Sequence, residues 1–461
     1  MAKNVIIGGG PAATNAAETI RLHDSSSQIT LVSDEPTHSR MALPYWLCGD
    51  IPPEQTHTGD DAYFQRLSVD ARIGVRVDQL DAGNNSLALS DGSSLDFDNL
   101  LIATGSSPLA PPIPGTDLPG VQPLWSLAHT QSVLDATSGM EQPRIVLVGA
   151  GFIGFIVLNA MFKRGWKLDV VEREAQVLPR MLDTGAATMV QSWLATKGVT
   201  VHAGTGVKEI KQGSGNEKLV QLDNGDEIPA DVVILATGVK PNIDLADSSG
   251  IETDQGIVVN DQMQSSIANI YAAGDVAQGP ALFSDNKEIH AIQPTAVDHG
   301  RVAGANMAGQ EVHYPGSLSM NITDVCGLQT ASFGAWNDSA AEATTICNES
   351  GYVYRKLLWR GDQLVGAIFT GRANDMGMLT DVGMVKGILQ TQSSLGAWKK
   401  YLEENPFDVR RAFVGVGVAE KLRKTTLLGQ ATKARGFTFG GAKPSVPENP
   451  SHAVYVGAKN E

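Results

Sequence analysis

A chain of 461 residues is longer than one hydrophobic core ordinarily serves, so two or three domains are expected, with 42% apolar residues to bury in them. A formal net charge of −15 argues against nucleic acid and anionic membrane as partners. The three cysteines, Cys48, Cys326 and Cys347, are widely spaced without a Cys-x-x-Cys, which argues against a disulfide framework, a dithiol centre and an iron–sulfur cluster or other metal centre held by this chain.

The first predicted element is a strand over 4–7, with no charged and apolar leader before it and no apolar run near the roughly 18 residues of a membrane span, so a cytoplasmic location is expected. Val5-Ile6-Ile7 empties into Gly8-Gly9-Gly10, followed by a predicted helix over 12–22 and a strand over 28–32. Such a unit favours a parallel sheet with a right-handed crossover. Closely spaced glycines at its turn let the backbone approach a pyrophosphate and aim the helix amides at it. Residues 71–94 alternate polar and apolar, with turns at Gly83-Asn84-Asn85 and Asp91-Gly92, and read as a β-meander before the strand ending in Ala103-Thr104-Gly105. Between Pro108 and Pro119 five prolines fall within twelve residues, where neither helix nor interior strand continues, and a domain crossing is placed there.

The same order then recurs. Val146-Leu147-Val148 leads into Gly149-Ala150-Gly151 and Gly154, then a helix over 153–164, a strand over 167–171, turns at 213–215 and 223–225, and a strand ending in Ala236-Thr237-Gly238. One glycine fingerprint is weak evidence; two, each leading to Ala-Thr-Gly at similar spacing, imply two dinucleotides. Pro241-Asn242 marks a return to the first domain, where a short strand ends in Gly274-Asp275 and a helix is predicted over 295–307. Beyond Pro315 the strands carry no fingerprint, and 352–359 pairs with 363–369 across Gly361-Asp362.

The expected fold is α/β: two Rossmann-like dinucleotide-binding domains, the first interrupted by the second, plus a C-terminal α+β interface domain. The boundaries are 1–115 with 243–315, 116–242, 316–390, and a basic extension over 391–461. That extension holds 11 Lys+Arg against 6 Asp+Glu, whereas the remainder holds 24 against 44. It reads either as a solvated or self-docked tail or as a docking arm for an acidic partner, with Trp398-Lys399-Lys400-Tyr401 and Arg410-Arg411 as its marked residues.

From about Lys3 to about Gly371 these motifs, in this order, resemble the pyridine nucleotide-disulfide oxidoreductase superfamily, in its single-chain NADH-dependent ferredoxin and rubredoxin reductase branch. The resemblance implies that Gly8, Gly10, Ala13 and Ala103-Thr104-Gly105 bind FAD, with Val77 among its contacts, and that Gly274 and Asp275 hold its ribityl and pyrophosphate region. It assigns Gly149, Gly151, Ile153, Gly154 and Gly238 to NAD(P)H. An acidic residue ending the second strand accepts hydrogen bonds from ribose hydroxyls and repels a 2′-phosphate. Asp34 and Glu35 both stand there in the first unit, and the family pattern favours Glu35. Glu172 stands there in the second and points to NADH, although Arg173 beside it could receive a phosphate. The helix starting near Thr295 would aim its dipole at the flavin pyrimidine edge, so a Thr295 substitution should alter the flavin potential. Phe152 is either an aromatic covering the flavin until nicotinamide displaces it or a packed core residue. Arg40 either passes by the flavin or lies on the surface.

Two places depart from relatives. Met41 stands where peroxidase, oxidase and CoA-disulfide reductase members have a redox cysteine, and a thioether cannot take over that chemistry. Ile156 stands where many members have a glutamate. Cys48, seven residues beyond Met41, reads as a small buried apolar residue. The resemblance thus implies an FAD-dependent NADH/NAD+ oxidoreductase whose electron partner is an iron–sulfur protein, or an iron–sulfur subunit of a larger dehydrogenase, in a homodimer or a hetero-oligomeric complex. An NADH oxidase or peroxidase, and a non-catalytic redox-responsive flavin-binding protein, are the competing classes.

Overall fold

The computed structural model describes residues 1–424. Two five-stranded sheets, parallel throughout, repeat one plan. In the first, the strands Ile270–Ala272, Asn99–Ile102, Lys3–Ile7, Gln28–Ser33 and Val69–Ile73 lie side by side in that order. In the second, the corresponding order is Val121–Pro123, Val232–Leu235, Arg144–Val148, Lys167–Glu172 and Thr200–Ala203. The outer strand of the first sheet arrives after the second sheet is complete, while that of the second arrives before its own fingerprint. The chain therefore leaves and re-enters the first unit, and Ser106–Pro108 runs antiparallel to Val239–Pro241 at this double crossing. Asn242 ties the crossing together, its side chain donating to Thr104 O at 2.8 Å and its carbonyl accepting from Thr104 Oγ1 at 3.0 Å.

Each unit carries a three-stranded antiparallel meander, Val77–Asp81 to Ser94–Asp96 in the first and Val207–Gln212 to Glu227–Ala230 in the second. The sequence reading started the first meander at residue 71. Val69–Ile73 instead pairs in parallel with Gln28–Ser33, because an edge strand exposed on one face shows the same alternation as a hairpin strand.

The helix Pro11–His23 packs closely on the helix Gln293–Met307. A Cβ on Gly300 would stand 2.2 Å from Ala12 O, and one on Gly304 would stand 2.6 Å from Ala16 O, so only glycine permits this spacing. Behind that contact His299 is fully buried, its Nε2 3.3 Å from Ser317 Oγ and its Nδ1 without a partner. Burial, with His290 adding to it, pushes the imidazole down from 6.5 to about 3. The unfolded chain protonates this group near 6.5 and the folded chain only near 3, so stability falls as pH drops through that window. In a His299→Gln variant the pH slope of the unfolding free energy across the window should shrink by roughly 1.4 kcal/mol per pH unit, read from urea melts.

The third sheet is antiparallel, ordered Met320–Val325, Leu328–Gly334, Gln363–Arg372, Val353–Arg360 and Glu342–Asn348. One face meets the helix Thr184–Thr196 of the second unit: Trp193 Nε1 donates to Val325 O at 3.0 Å, and Asp183 accepts from Tyr354 OH at 2.7 Å and Lys356 Nζ at 2.9 Å. The other face buries Phe333, Leu357 and Phe369 under the helices Met376–Gln390, Trp398–Glu404, Val409–Gly415 and Val418–Lys424. The sequence reading left Leu127–Ala136, Thr184–Thr196 and Met376–Gln390 unassigned, yet each starts at a side-chain cap, Ser126, Asp183 and Asp375. Among the described residues no helix is long and apolar enough to cross a membrane.

Candidate functional site: two glycine turns meeting at one cavity

The two fingerprints fold alike in detail. Gly8 N donates to Val32 O and Gly149 N to Val171 O, both at 2.8 Å, and Ala103 N donates to Ile7 O and Ala236 N to Val148 O, also at 2.8 Å. Gly8 has φ +118° and Gly149 φ +103°. A Cβ there would stand 2.2 Å from Ala103 O or 2.4 Å from Ala236 O. The first glycine of each fingerprint and its downstream Ala-Thr-Gly are thus two sides of one contact. Gly10 and Gly151 cap their helices with φ/ψ of −80°/−177° and −81°/−177° and no side chain over the helix end. Gly154 sits against Gly149 O, where a Cβ would come within 2.4 Å. Ala13, its counterpart in the first unit, is buried beneath the turn.

A cavity of about 1250 Å³ opens at the carboxyl ends of the first sheet. Gly8 and Gly10 form one wall with Glu35, and Val77 lies near Asp78 at the same end. Ala103, Thr104 and Gly105 continue the wall to Gly274 and Asp275. The second fingerprint helix, Phe152–Lys163, reaches across from its own unit, so Phe152, Ile153 and Ile156 line this first-unit cavity. Phe152 is half-buried, packed at its base and open toward the cavity. The wall also includes the apolar side chains of Met41, Pro44, Met320 and Ile322.

Arg40 is a cavity residue. Its guanidinium lies 4.6 Å from the Trp125 ring centroid and 4.0 Å from Asp275 Oδ2, and its Nε is buried without a partner. Asp275 Oδ2 accepts from Ser106 Oγ at 2.7 Å, and Trp125 Nε1 donates to Ser106 O at 2.9 Å. Trp125 and Ser106 carry no signature in the sequence; they join Arg40 and Asp275 only because the crossing strand passes between them. His38 lines the same wall, its Nδ1 2.9 Å from Pro36 O and its buried Nε2 unpartnered, 3.9 Å from Glu35. His129 faces the cavity too, and burial lowers its basicity against the pull of Glu35.

One expected site residue, Thr295, and one expected core residue, Cys48, sit differently. Thr295 is 4% exposed and does not line the cavity, although Gln293, Pro294 and Ala296 of the same turn do. Its side chain turns toward Tyr314 because the third helical position points back into the protein. Cys48 is half-buried rather than fully buried; its Sγ is 3.3 Å from Tyr45 O, and desolvation raises its thiol. It lies off the cavity. Cys326 is buried, its thiol pushed up to about 12 by desolvation, and Cys347 is exposed on the outer strand of the third sheet.

In the second unit Glu172 is 9% exposed, with Oε2 accepting from Ala150 N at 2.7 Å and Oε1 from Glu174 N at 2.9 Å. The carboxylate therefore stands at the fingerprint turn, held there by two backbone amides. Arg173 points away, 84% exposed. Gly238 borders a small cleft with Trp125 and Ile153 between the units.

Residues 2–300 match the pyridine nucleotide-disulphide oxidoreductase family. The NADH-dependent phenylglyoxylate dehydrogenase subunit epsilon of Aromatoleum evansii is 32% identical over 89% of this chain and 96% of its own. The NADH oxidase of Methanocaldococcus jannaschii is 33% identical over 72% and 75%. Among solved structures, the covalent putidaredoxin reductase–putidaredoxin complex has a TM-score of 0.80 at 21% identity, covering 90% of this chain and 99% of the solved one, and so shares the fold. The duplicated turns, the shared cavity and these matches agree: the chain belongs to the pyridine nucleotide-disulphide oxidoreductase family and is an FAD-dependent NAD(P)H oxidoreductase whose cofactors are FAD and NAD(H).

Proposed function

We propose that the protein moves electrons between NADH and an iron–sulfur partner, either a small electron-transfer protein or a subunit of a larger dehydrogenase. The observation that carries this reading is the convergence of both fingerprint helices on one cavity, with no cysteine in its wall among the described residues. FAD held there would supply the chemistry of accepting a hydride from nicotinamide and releasing the electrons singly. With Met41 in the wall no thiol relays them inside the chain, so they leave to another protein. That a relative is named as a dehydrogenase subunit supports a partner within a complex.

The residues present fit FAD. The open turn at Gly8, Gly10 and Ala13 suits a pyrophosphate, Glu35 suits a ribose, and Val77, on the same wall, would serve FAD as an apolar contact. Arg40, with a buried and unpartnered Nε, supplies positive charge along the cavity between Ala103-Thr104-Gly105 and Gly274-Asp275. The helix carrying Thr295 presents its N-terminal turn, and Thr295 acts through Tyr314 by fixing that turn rather than by touching the cofactor. Gly149, Gly151, Ile153, Gly154, Glu172 and Gly238 serve NADH, and Phe152 shields the cavity from water until nicotinamide enters. These roles divide the chain into an FAD domain (1–115 and 243–315), an NAD domain (116–242) and an interface domain (316–390).

Anaerobic titration with NADH tests the reading: the flavin absorbance should bleach promptly, and a flavin that stays oxidised overturns it. NADH oxidation in air without added acceptor should be slow; fast turnover would favour the oxidase class suggested by the archaeal relative. A Glu172→Gln variant loses the charge facing the ribose and its repulsion of a 2′-phosphate. Its preference for NADH over NADPH, measured as a ratio of kcat/KM, should fall by about ten- to a hundredfold, the worth of one charged hydrogen bond at about 1.5–3 kcal/mol.

A further inference from the structure

The extension after residue 390 is not a free arm over its described part. Lys399 pairs with Glu342 and Glu403, Tyr401 OH donates to Asp408 at 2.6 Å, and Trp398 stacks edge-on with Tyr401 while touching Gly415. The aromatic and basic residues that mark Trp398-Lys399-Lys400-Tyr401 in the sequence are therefore largely spent within the fold. The helix Val409–Gly415 differs. It buries Val409 and Ala412, while Arg410, Arg411 and Val414 are exposed on its outward side and Phe407 is exposed in the turn that leads into it. Phe407 is 54% exposed and Val414 70% exposed. Arg411 reaches back to Asp408 at 2.9 Å with 68% of its side chain exposed, and Arg410 is exposed.

Two arginines beside an exposed phenylalanine have the composition of an interface centre rather than of ordinary surface. The face is also anchored firmly. Arg355, 3% exposed, lies beneath it with its guanidinium 4.4 Å from the Phe407 ring and 5.0 Å from Phe369, and it bonds Asp381 and Pro406 O. Arg355 also stands on a register row with the cavity wall, since Ile322 pairs with Ala331, Ala331 with Phe369, and Phe369 with Arg355. Three strand spacings separate Arg355 from Ile322, roughly 14 Å. A protein seated on this face thus docks on the sheet whose Met320 and Ile322 line the cavity.

We propose that Phe407, Arg410, Arg411 and Val414 form the docking face for an acidic protein that carries an iron–sulfur centre. The proposal rests on the electron-transfer reading above and adds where the partner sits. Charge selects the occupant: the body before residue 391 is strongly acidic and repels such a partner elsewhere, so this basic face is where approach is favoured.

The test uses the full-length holoenzyme and an Arg410→Glu/Arg411→Glu variant, with an Arg410→Lys/Arg411→Lys variant keeping the charge. NADH-driven reduction of ferricyanide, which needs no docking, should be the same in all three. With a purified acidic bacterial ferredoxin as probe, kcat/KM should fall about tenfold or more in the double glutamate variant, lose its dependence on ionic strength, and recover in the lysine variant. Equal ferredoxin reduction and equal salt dependence in wild type and glutamate variant overturn the docking face while leaving the electron-transfer reading intact. A wild type that reduces ferricyanide but no ferredoxin overturns the docking face and leaves the electron-transfer reading with a dedicated dehydrogenase subunit as its partner. Concentration-dependent self-association abolished by the glutamate pair would assign the face to a second copy of the chain and overturn the proposal.

Discussion

A Gly8→Ala variant should be purified almost without flavin. Its methyl group would stand 2.2 Å from Ala103 O, at a φ of +118° that side chains rarely adopt. The strain of that backbone region alone costs about 1–3 kcal/mol, and the carbonyl cannot retreat without breaking the 2.8 Å bond from Ala103 N to Ile7 O. The turn must therefore open, moving Gly10 and the helix end away from the place a pyrophosphate would take. The measurement is the ratio of flavin to protein absorbance after purification. Gly149→Ala makes the matching change in the second unit, where the methyl would meet Ala236 O at 2.4 Å. That variant should keep its flavin and lose NADH-driven bleaching, so the pair separates the two nucleotide sites. Equal flavin content in Gly8→Ala and wild type would remove the first fingerprint from FAD binding.

An Asp381→Ala variant should lose about 3–5 kcal/mol of stability, the cost of leaving one partner of a buried ion pair uncompensated. Arg355 Nη1 donates to Asp381 Oδ2 at 2.7 Å, and the two side chains are 3% and 10% exposed. Burial and the pairing oppose each other at both groups: desolvation weakens Arg355 as a base and raises Asp381, while each charge favours the other. Without the carboxylate the guanidinium loses its ion-pair partner and keeps Pro406 O, the faces of Phe369 and Phe407, and the more distant charge of Asp375. Denaturant melts read the loss. Because Arg355 also seats Phe407, the same variant should weaken ferredoxin reduction without changing ferricyanide reduction at temperatures where it stays folded.

Glycine turns were legible in the sequence because their constraint is local: a positive φ, a close carbonyl and a helix end free of side chains are all requirements on the residue itself. The helix caps were equally local and went unread at Ser126, Asp183 and Asp375, each of which receives a backbone amide in the structure. Val69–Ile73 was misassigned because alternation reports a half-exposed strand and not the direction of its neighbour. Thr295 was placed at the cofactor by motif order, yet whether a first-turn side chain faces a cavity or a buried tyrosine depends on rotation about the helix axis, which its neighbours fix.

What the sequence by itself determined is the duplicated dinucleotide plan, the interruption of one unit by the other and the lack of a thiol at Met41, since each follows from residue types at fixed spacing. Only the tertiary structure decided that Phe152, Ile153 and Ile156 cross from the second unit into the first unit's cavity, and that Arg40, Trp125, Ser106 and Asp275 meet there. It also turned Trp398 and Lys399 inward and left Arg410 and Arg411 outward. The physical reason is the same throughout: spacing along a chain fixes local geometry, whereas contacts between segments tens or hundreds of residues apart are set by how the sheets pack.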